Sequence, residues 1–364
     1  MNICYLSYSI IPSLMANSVQ VMHMSEAFAE LGHNVTLYTK RSELTDDPFY
    51  FYGIKPIFQL RYLPKKKAGK ISKKLFGWRV RLPTDLIYAR CLIALRKSKP
   101  KGIPFIIEAH TLPHPSEELN SFYEDFFTWP NFKRLILISN TLKEDFIARF
   151  ASLDQSKILI APDGATPMPP NLLLQSRLTE RLQIGYVGHL YPGRGIELIF
   201  ALAARCAWAD FHIVGGRQEE LKYWRSQPPP GPNMILHGFV PHRETMSYLA
   251  TFDILIAPYQ TAVTAHGGIE TSRWMSPLKI FEYMSHGKPI ITSDLQVLRE
   301  VLQNERNALL VSPADIEAWL GAIIRLRDNP VLRQQLGQRA LQDFTANYSW
   351  LSRARRVLAG LKLS

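Results

Sequence analysis

The chain has 364 residues and a formal net charge of +12, with 46% hydrophobic and 20% charged residues. This length exceeds one typical core and predicts two domains, and no apolar run reaches the roughly 18 residues of a membrane-spanning helix. The three cysteines, Cys4, Cys91 and Cys206, are too few and too widely spaced for a disulfide framework or a zinc site. The first residues lack the basic start of a signal peptide, so we expect a cytoplasmic protein.

Strand and helix signals alternate through the first half of the chain. Short apolar runs bounded by turn residues predict strands, and apolar residues three or four apart predict helices. Such alternation is typical of a parallel sheet with helices on both faces. The predicted strands are 2–7, 33–39, 103–109, 135–139 and 158–161, and the predicted helices are 142–150 and one marked by Val21, Met24, Phe28 and Leu31.

A proline-rich stretch, 162–182, interrupts this alternation and predicts a linker. A second alternating series follows it. Because open α/β sheets bind ligands at the carboxyl ends of their strands, we expect the functional site between the two halves. The predicted strands of this series are 183–187, 211–214, 234–236, 254–257 and 289–292, and the helices are 195–207, 217–226, 243–250, 278–286, 317–326, 331–346 and 350–361.

Residues 61–84 carry nine basic residues and no acidic one, interleaved with apolar and aromatic residues. Such a segment can lie on an anionic membrane face, where each cation contributes about 1 kcal/mol. A solvated loop is the next interpretation. Nucleic-acid binding ranks last because no nucleic-acid motif accompanies the segment.

The stretch 274–291, WMSPLKIFEYMSHGKPII, reads as a turn, a helix that Gly287 ends, and a buried strand. The first amides of such a helix have no partner within the helix and suit a phosphate. Glu282, inside the helix, can accept hydrogen bonds from sugar hydroxyls. An ordinary turn–helix–strand unit explains this stretch alone equally well.

A glycine-rich loop, GHLYPGRG at 188–195, follows a predicted strand and precedes a predicted helix. Arg194 at the helix entry can clamp a diphosphate together with helix amides, although a solvated arginine in a common turn is the alternative. The spacing matches neither the GxGxxG fingerprint nor the P-loop, which disfavours nicotinamide and ATP. Gly215 and Gly238 end two further strands, where a base ring can lie against the backbone.

His110 follows the predicted strand 103–109. A histidine at a strand end can hydrogen-bond a substrate hydroxyl or transfer a proton, and a structural histidine is the alternative. His110 and His114 do not have the HExxH spacing of a zinc site. The chain also has no Asp-x-Asp pair to hold a cation on a diphosphate, so we expect no metal and no cofactor.

Eight segments, taken in order, carry a resemblance to a known family. They are NSVQVMHMSEAFAELGHNVTLYT, YARCLIALRK, IEAHTLPHP, LILISNTLKEDF, APDGAT, YVGHLYPGRGIELIFALA, HGFVPHRETMSYLATFDILIAPY and SPLKIFEYMSHGKPII. Together they resemble the retaining GT-B glycosyltransferases of family four, the group 1 enzymes. Each match is short, but their order along nearly the whole chain makes the resemblance specific.

The resemblance implies an α/β protein of the GT-B fold, with two Rossmann-like domains whose parallel sheets face each other across a cleft. The implied acceptor-side domain spans residues 1–168, and the nucleotide-sugar-binding domain spans residues 169–346. Residues 347–364 form a C-terminal helix that crosses back to the first domain.

The resemblance also implies roles for single residues. His110 aligns with the histidine near the reacting sugar, Arg194 with the phosphate-binding lysine, and Glu282 with the acid that binds the donor ribose. These three are the expected catalytic residues. The expected donor-binding residues are Gly188, His189, Arg194, Gly215, Gly238, Pro277, Leu278, Lys279 and Glu282.

The chain departs from the family pattern at three places. His189 stands where the family usually has an arginine, and Trp274 stands where the paired-acid motif has its first glutamate. Residues 16–18 replace a Gly-Gly turn after the first strand. Several relatives with the SPLK sequence also lack that glutamate, which indicates a subgroup.

The implied activity is the retaining, metal-independent transfer of a hexosyl group from a nucleotide-diphosphate sugar to a hydroxyl, with a lipid-linked or envelope glycan as the expected acceptor. Residues 61–84 are expected to meet an anionic membrane surface at the inner face of the plasma membrane, and no nucleic-acid partner is expected. One alternative is a sugar-nucleotide epimerase or hydrolase on the same fold. Another is a non-catalytic GT-B binding protein.

Overall fold

We describe the fold from a computed structural model. Most of the basic segment 61–84 lies outside the residues that the structure describes. Those residues are 1–63, 83–100, 102–115, 117–177, 179–227, 231–263 and 272–362.

The chain divides into two compact units, each built on its own parallel sheet. Unit 1 comprises residues 1–163 and 350–364, and unit 2 comprises residues 164–349. These limits lie a few residues from the predicted domain boundaries at 168/169 and 346/347.

Backbone pairing explains the position of the unit limits. Ala165 forms a β-bridge with Ser349, and its N–H donates to the carbonyl of Tyr348 at 3.0 Å. Both segments therefore belong to unit 2.

The described residues of unit 1 form seven strands: β1 (Asn2–Ile11), β2 (Asn34–Arg41), β3 (Gln59–Tyr62), β4 (Leu86–Ala89), β5 (Phe105–Ala109), β6 (Phe132–Leu137) and β7 (Ile158–Ile160). They form one parallel sheet in the order β3-β2-β1-β4-β5-β6-β7. Its helices are α1 (Ala16–Glu30), α2 (Pro48–Tyr52), α3 (Leu92–Ser98), α4 (Leu119–Thr128), α5 (Asn140–Arg149) and, from the end of the chain, α12 (Trp350–Leu358).

Helix α12 packs against helix α1 within unit 1. Its Trp350 ring stacks on His23 with the ring centroids 5.8 Å apart. Arg134 of β6 donates a 2.7 Å hydrogen bond to the Val357 carbonyl near the end of α12. The apolar face of α12 is buried, so the last helix belongs to unit 1.

In the part of unit 2 that the structure describes there are six strands: β8 (Leu182–Val187), β9 (Ala209–Val214), β10 (Met234–Gly238), β11 (Ile254–Ala257), β12 (Ile290–Ser293) and β13 (Leu309–Val311). They form a parallel sheet in the order β10-β9-β8-β11-β12-β13. Its helices are α6 (Ile196–Arg205), α7 (Gln218–Ser226), α8 (His242–Thr251), α9 (Leu278–Ser285), α10 (Ile316–Asp328) and α11 (Pro330–Asn347).

The strand order of each sheet reverses at its first strand. β1 lies between β2 and β4, and β8 lies between β9 and β11. The loops after such neighbouring strands diverge and leave space for a ligand at the carboxyl ends of the strands. The predicted α/β class with two Rossmann-like sheets is therefore confirmed. In the described parts of the chain, no helix is long and apolar enough to cross a bilayer.

Candidate functional site

Three predicted glycines of unit 2 meet at the carboxyl ends of neighbouring strands. Gly188 follows β8, Gly215 follows β9, and Gly238 ends β10. The Gly188 N–H donates to the Val214 carbonyl at 2.9 Å, and the Gly215 N–H donates to the Gly238 carbonyl at 2.7 Å. Gly215 has φ +117°, and a Cβ there would lie 2.3 Å from the Gly188 carbonyl oxygen. A side chain at this position would therefore push the two strand ends apart.

Lys279 extends from the first turn of α9 to the start of the glycine loop. Its Nζ lies 3.7 Å from the centroid of the Tyr186 ring and would lie 2.8 Å from a Cβ at Gly188. Gly188 therefore leaves the space that the ammonium occupies. This Nζ is shielded from solvent and has no hydrogen-bond partner among the residues that the structure describes. Burial, and next the charge of Arg194, hold the pKa of Lys279 well below its usual range.

Arg194 lies in the glycine loop just before α6. The loop is fastened to the residues after β11, because the N–H of Gln260 donates to the Gly193 carbonyl at 2.9 Å. The Arg194 guanidinium and the Lys279 ammonium each lie 5.3 Å from the centroid of the Tyr259 ring. Two cations thus converge on one aromatic ring at the strand ends. Like charges held together in a shielded place disfavour each other, and a bound anion relieves that repulsion.

His189, which the sequence predicts as a donor-binding residue, has a different environment. Its ring stacks on Tyr191 with the centroids 4.9 Å apart, and Arg217 lies 5.4 Å over the same tyrosine ring. The His189 carbonyl accepts a 2.6 Å hydrogen bond from the Tyr186 hydroxyl. His189 therefore stacks on a different aromatic ring from Arg194, whereas Lys279 shares the Tyr259 ring with Arg194.

The turn at Pro277 begins helix α9. Pro277 precedes the helix with φ −75° and ψ 113°, and its carbonyl accepts from the N–H of Ile280 at 3.0 Å. The N–H groups that begin a helix have no partner four residues earlier. Those of Leu278 and Lys279 are in this position, on the same turn as the Lys279 side chain, where they favour an anion.

Glu282 lies on α9 three residues after Lys279. Its Oε1 is hydrogen-bonded to Nε2 of His242, at the start of α8, over 2.8 Å. No hydrogen bond to its Oε2 is found within the described ranges, so this oxygen is available to hydroxyl donors.

The His242–Glu282 pair shifts the titration of both groups. Burial alone would raise the pKa of Glu282, but the hydrogen bond and the charge of His242 outweigh it and lower that pKa. Burial alone would lower the pKa of His242, but its contact with Glu282 raises that pKa. The pair is therefore held in its charged form between these two values.

His110 lies in unit 1, immediately after β5, with 18% of its side chain exposed. Its Nε2 lies 2.6 Å from Oε1 of Glu108, and its Nδ1 lies 3.8 Å from Oδ2 of Asp163. The buried Arg353 of α12 donates to Glu108 Oε1 at 2.8 Å. The sequence predicted His110 but none of these partners.

Glu108, His110 and Asp163 each place one potential metal-ligand atom within 4.8 Å of the others. The donor set does not fit a metal ion, for two reasons. Both oxygens of Glu108 already accept hydrogen bonds, and the Arg353 guanidinium lies against one of them. We interpret the cluster as a hydrogen-bonded histidine site.

Some of these partners could be anticipated from sequence and others could not. Glu108 is a carboxylate in an otherwise apolar strand, and such a group must find donors or a cation. Its partner Arg353 is 245 residues away, among several arginines of one helix. His242 is likewise one polar residue at a helix start with no distinguishing pattern. The structure gathers the predicted glycines, Arg194, Lys279 and Glu282 within unit 2.

Two glycosyltransferase family models match the chain, one largely in each unit. The model described as "Glycosyltransferase Family 4" matches residues 18–167. The model described as "Glycosyl transferases group 1" matches residues 181–329. The second match includes the glycine loop, Lys279 and Glu282, and the first includes His110.

Known proteins with similar sequences or structures agree with the two models. An amylovoran biosynthesis glycosyltransferase, AmsK, from Erwinia amylovora is 27% identical over 176 residues, which are 47% of this chain and 42% of that protein. An alpha-D-kanosaminyltransferase from Streptomyces kanamyceticus is 22% identical over 80% of this chain and 78% of its own length. The structure of Anabaena HepE in complex with UDP and glucose matches with a TM-score of 0.70 at 14% identity, covering 99% of both chains. The fold is therefore GT-B, and the chain belongs to the glycosyltransferases of the family 4, group 1 type.

Proposed function

We propose that the protein is a retaining hexosyltransferase that uses a nucleotide-diphosphate sugar as donor and a glycan hydroxyl as acceptor. The observation that carries this proposal is the convergence of Lys279 and Arg194 at the carboxyl ends of β8 and β11. A diphosphate supplies the anion that these two cations favour. Glu282 Oε2, three residues along α9, is then available to the ribose hydroxyls of the same nucleotide. UDP in the HepE structure supports this class of donor.

The two cations would act on the departure of the diphosphate. As the bond between the anomeric carbon and the diphosphate oxygen breaks, negative charge collects on the phosphate oxygens. Arg194, Lys279 and the first amides of α9 stabilise this charge without a metal ion, and such preorganised stabilisation is usually the largest catalytic term. The acceptor hydroxyl then forms the new bond on the same face of the sugar, and its proton passes to the departing diphosphate oxygen. His110 hydrogen-bonds the reacting sugar or the acceptor, as the family resemblance implies.

The acceptor proposal is a polysaccharide or a lipid-linked glycan. One relative is named for the biosynthesis of amylovoran, which supports polysaccharide biosynthesis as the process. The nine basic residues of segment 61–84 support an anionic membrane surface as a partner. We therefore place the protein in the cytoplasm, peripheral to the inner face of the plasma membrane.

The donor proposal is tested by a thermal-shift screen of nucleotide-diphosphate sugars. A donor at about 100 times its dissociation constant is expected to add roughly 2.7 kcal/mol of stability. The best donor is then incubated with and without a glycan acceptor, and we expect rapid release of nucleoside diphosphate only with the acceptor. Failure to bind any nucleoside diphosphate would favour a non-catalytic protein, and fast turnover of donor alone would favour an epimerase or hydrolase.

The His242–Glu282 pair yields a prediction about stability. His242→Gln is expected to lower the free energy of unfolding by about 1 to 3 kcal/mol near pH 6, because a charge-assisted hydrogen bond is lost. The raised pKa of His242 means that the wild-type advantage is complete below pH 6.5 and is lost as pH rises through that raised value. The lowered pKa of Glu282 means that it is also lost at low pH. Urea unfolding of both proteins from pH 4 to 9 measures this difference, and a pH-independent difference contradicts the ion pair.

A further inference from the structure

A buried ion pair lies behind His110 in the core of unit 1. Glu108 is 2% exposed and Arg353 is 1% exposed. Arg353 extends from α12 and donates from Nη2 to Glu108 Oε1 at 2.8 Å, from Nε to the Pro162 carbonyl at 2.9 Å, and from Nη2 to the Ala161 carbonyl at 3.1 Å. Buried ion pairs are poor stabilisers, because removing both charges from water offsets their attraction. Stability alone therefore does not account for this pair.

The other hydrogen-bond partners of Glu108 among the described residues are donors as well. Gln20 of α1 donates to Oε1 at 2.8 Å, and the Tyr88 hydroxyl of β4 donates to Oε2. Burial alone would raise the pKa of Glu108, but the charge of Arg353, followed by the His110 hydrogen bond, outweighs burial and holds that pKa well below its usual range. Glu108 is therefore a carboxylate and can only accept hydrogen bonds.

The charge state of Glu108 decides which nitrogen of His110 carries a proton. Nε2 lies 2.6 Å from Oε1 of this carboxylate, so Nε2 must be the donor. A neutral imidazole has one N–H, which leaves Nδ1 with a lone pair. Nδ1 lies 3.8 Å from Asp163 Oδ2, beyond hydrogen-bond distance. In the described part of unit 1, Glu108 is the one hydrogen-bond partner of this ring.

We propose that Glu108, held in place by Arg353, Gln20 and Tyr88, fixes His110 as the Nε2–H tautomer and makes Nδ1 the atom that His110 presents to a substrate hydroxyl. Glu108 and Arg353 are positioning residues, because they act through His110. This inference deepens the proposed function and rests on it for the identity of the substrate. It also gives the returning helix α12 a role in the site, since Arg353 is its contribution.

The tautomer is measured by nitrogen-15 NMR of protein labelled at histidine, with the His110 signals identified by their loss in His110→Asn. Wild-type protein is expected to show a slowly exchanging, strongly deshielded Nε2–H on His110. A proton on Nδ1 instead would overturn the proposal without any variant. Glu108→Met/Arg353→Met removes both charges together and is expected to lose this signal, whereas Arg353→Lys keeps the cation and is expected to keep it.

Arg134→Met is the matched control. Arg134 also holds α12, through the Val357 carbonyl, but it does not contact Glu108. Loosening the helix in this way is expected to lower the melting temperature and leave the Nε2–H signal in place. Loss of the signal in Arg134→Met as much as in the double variant would mean that helix docking alone orders His110, and the proposal would fall.

The turnover of two His110 variants shows which ring nitrogen, Nδ1 or Nε2, contacts the substrate. The amide of His110→Asn lies near the position of Nδ1, and that of His110→Gln lies near the position of Nε2. If Nδ1 meets the substrate, the asparagine variant is expected to retain at least about tenfold more turnover than the glutamine variant. The reverse order would overturn the proposal. A wild-type protein with the Nε2–H tautomer and no sugar transfer to any acceptor would refute the proposed function alone.

Discussion

Replacing Arg194 by alanine is expected to lower the kcat of sugar transfer by about 100- to 1,000-fold while the protein stays folded. The guanidinium shares the Tyr259 ring with Lys279 at the strand ends, where charge develops on the departing diphosphate. Removing one preorganised donor from such a place typically costs this much in rate. Arg194→Lys keeps the charge but loses the planar fork, so we expect intermediate activity.

A matched control for Arg194→Ala replaces a cation of the same unit that is remote from the strand ends. Arg205 ends α6, the helix that Arg194 precedes, and pairs on the surface with Glu317. Arg205→Ala is expected to keep full turnover, since exposed ion pairs contribute little. Release of nucleoside diphosphate with saturating acceptor measures kcat, and circular dichroism on heating checks the fold. Near-normal turnover by Arg194→Ala would remove the phosphate role and with it the proposed mechanism.

The sequence predicted the class of fold better than its details. Long periodic elements such as α11 and buried apolar strands such as β8 were predicted within a few residues. Some short elements were missed, because their stability comes from neighbouring elements and not from their own sequence pattern. β13 has three residues and exists through its pairing with β12. β1 continues past its predicted end at Ser7, because after a register shift Ile10 and Ile11 pair with the end of β2.

The candidate site was predictable where a local pattern implies geometry. A glycine loop between a strand and a helix must lie at the carboxyl edge of a parallel sheet, so the sequence pattern alone places Gly188 and Arg194 at that edge. The same reasoning places the turn before α9 at the carboxyl edge of the sheet. Contacts between distant elements could not be predicted. Nothing local links Lys279 to Tyr186, or His242 to Glu282, because these pairs depend on how β8, α8 and α9 pack together.

The environment of Lys279 implies a conflict between stability and function. Burial and the Arg194 charge lower its pKa from the usual 10.5. The unfolded chain therefore binds this proton more readily than the folded protein does, and the penalty is complete below the lowered pKa and disappears as pH rises towards 10.5. A diphosphate beside the amine reverses the effect, because an adjacent anion favours the ammonium. At a pH between the lowered pKa and 10.5, donor binding should then be accompanied by proton uptake at Lys279.

Lys279→Met is accordingly expected to stabilise the ligand-free protein by about 1 to 3 kcal/mol, the penalty of a buried polar group without a hydrogen bond, while it lowers kcat by about 100-fold. The stabilisation should shrink as pH rises towards 10.5, and wild-type affinity for the donor should fall over the same range. Calorimetry in buffers of different ionisation enthalpy, repeated at several pH values up to 10.5, should detect a range of pH in which the wild type takes up a proton on binding the donor and the variant takes up none. A lysine that served only to hold the fold would behave in the opposite way, with stability lost on substitution and donor affinity unchanged. Higher stability together with lost turnover is the combination expected of a cation kept for a ligand.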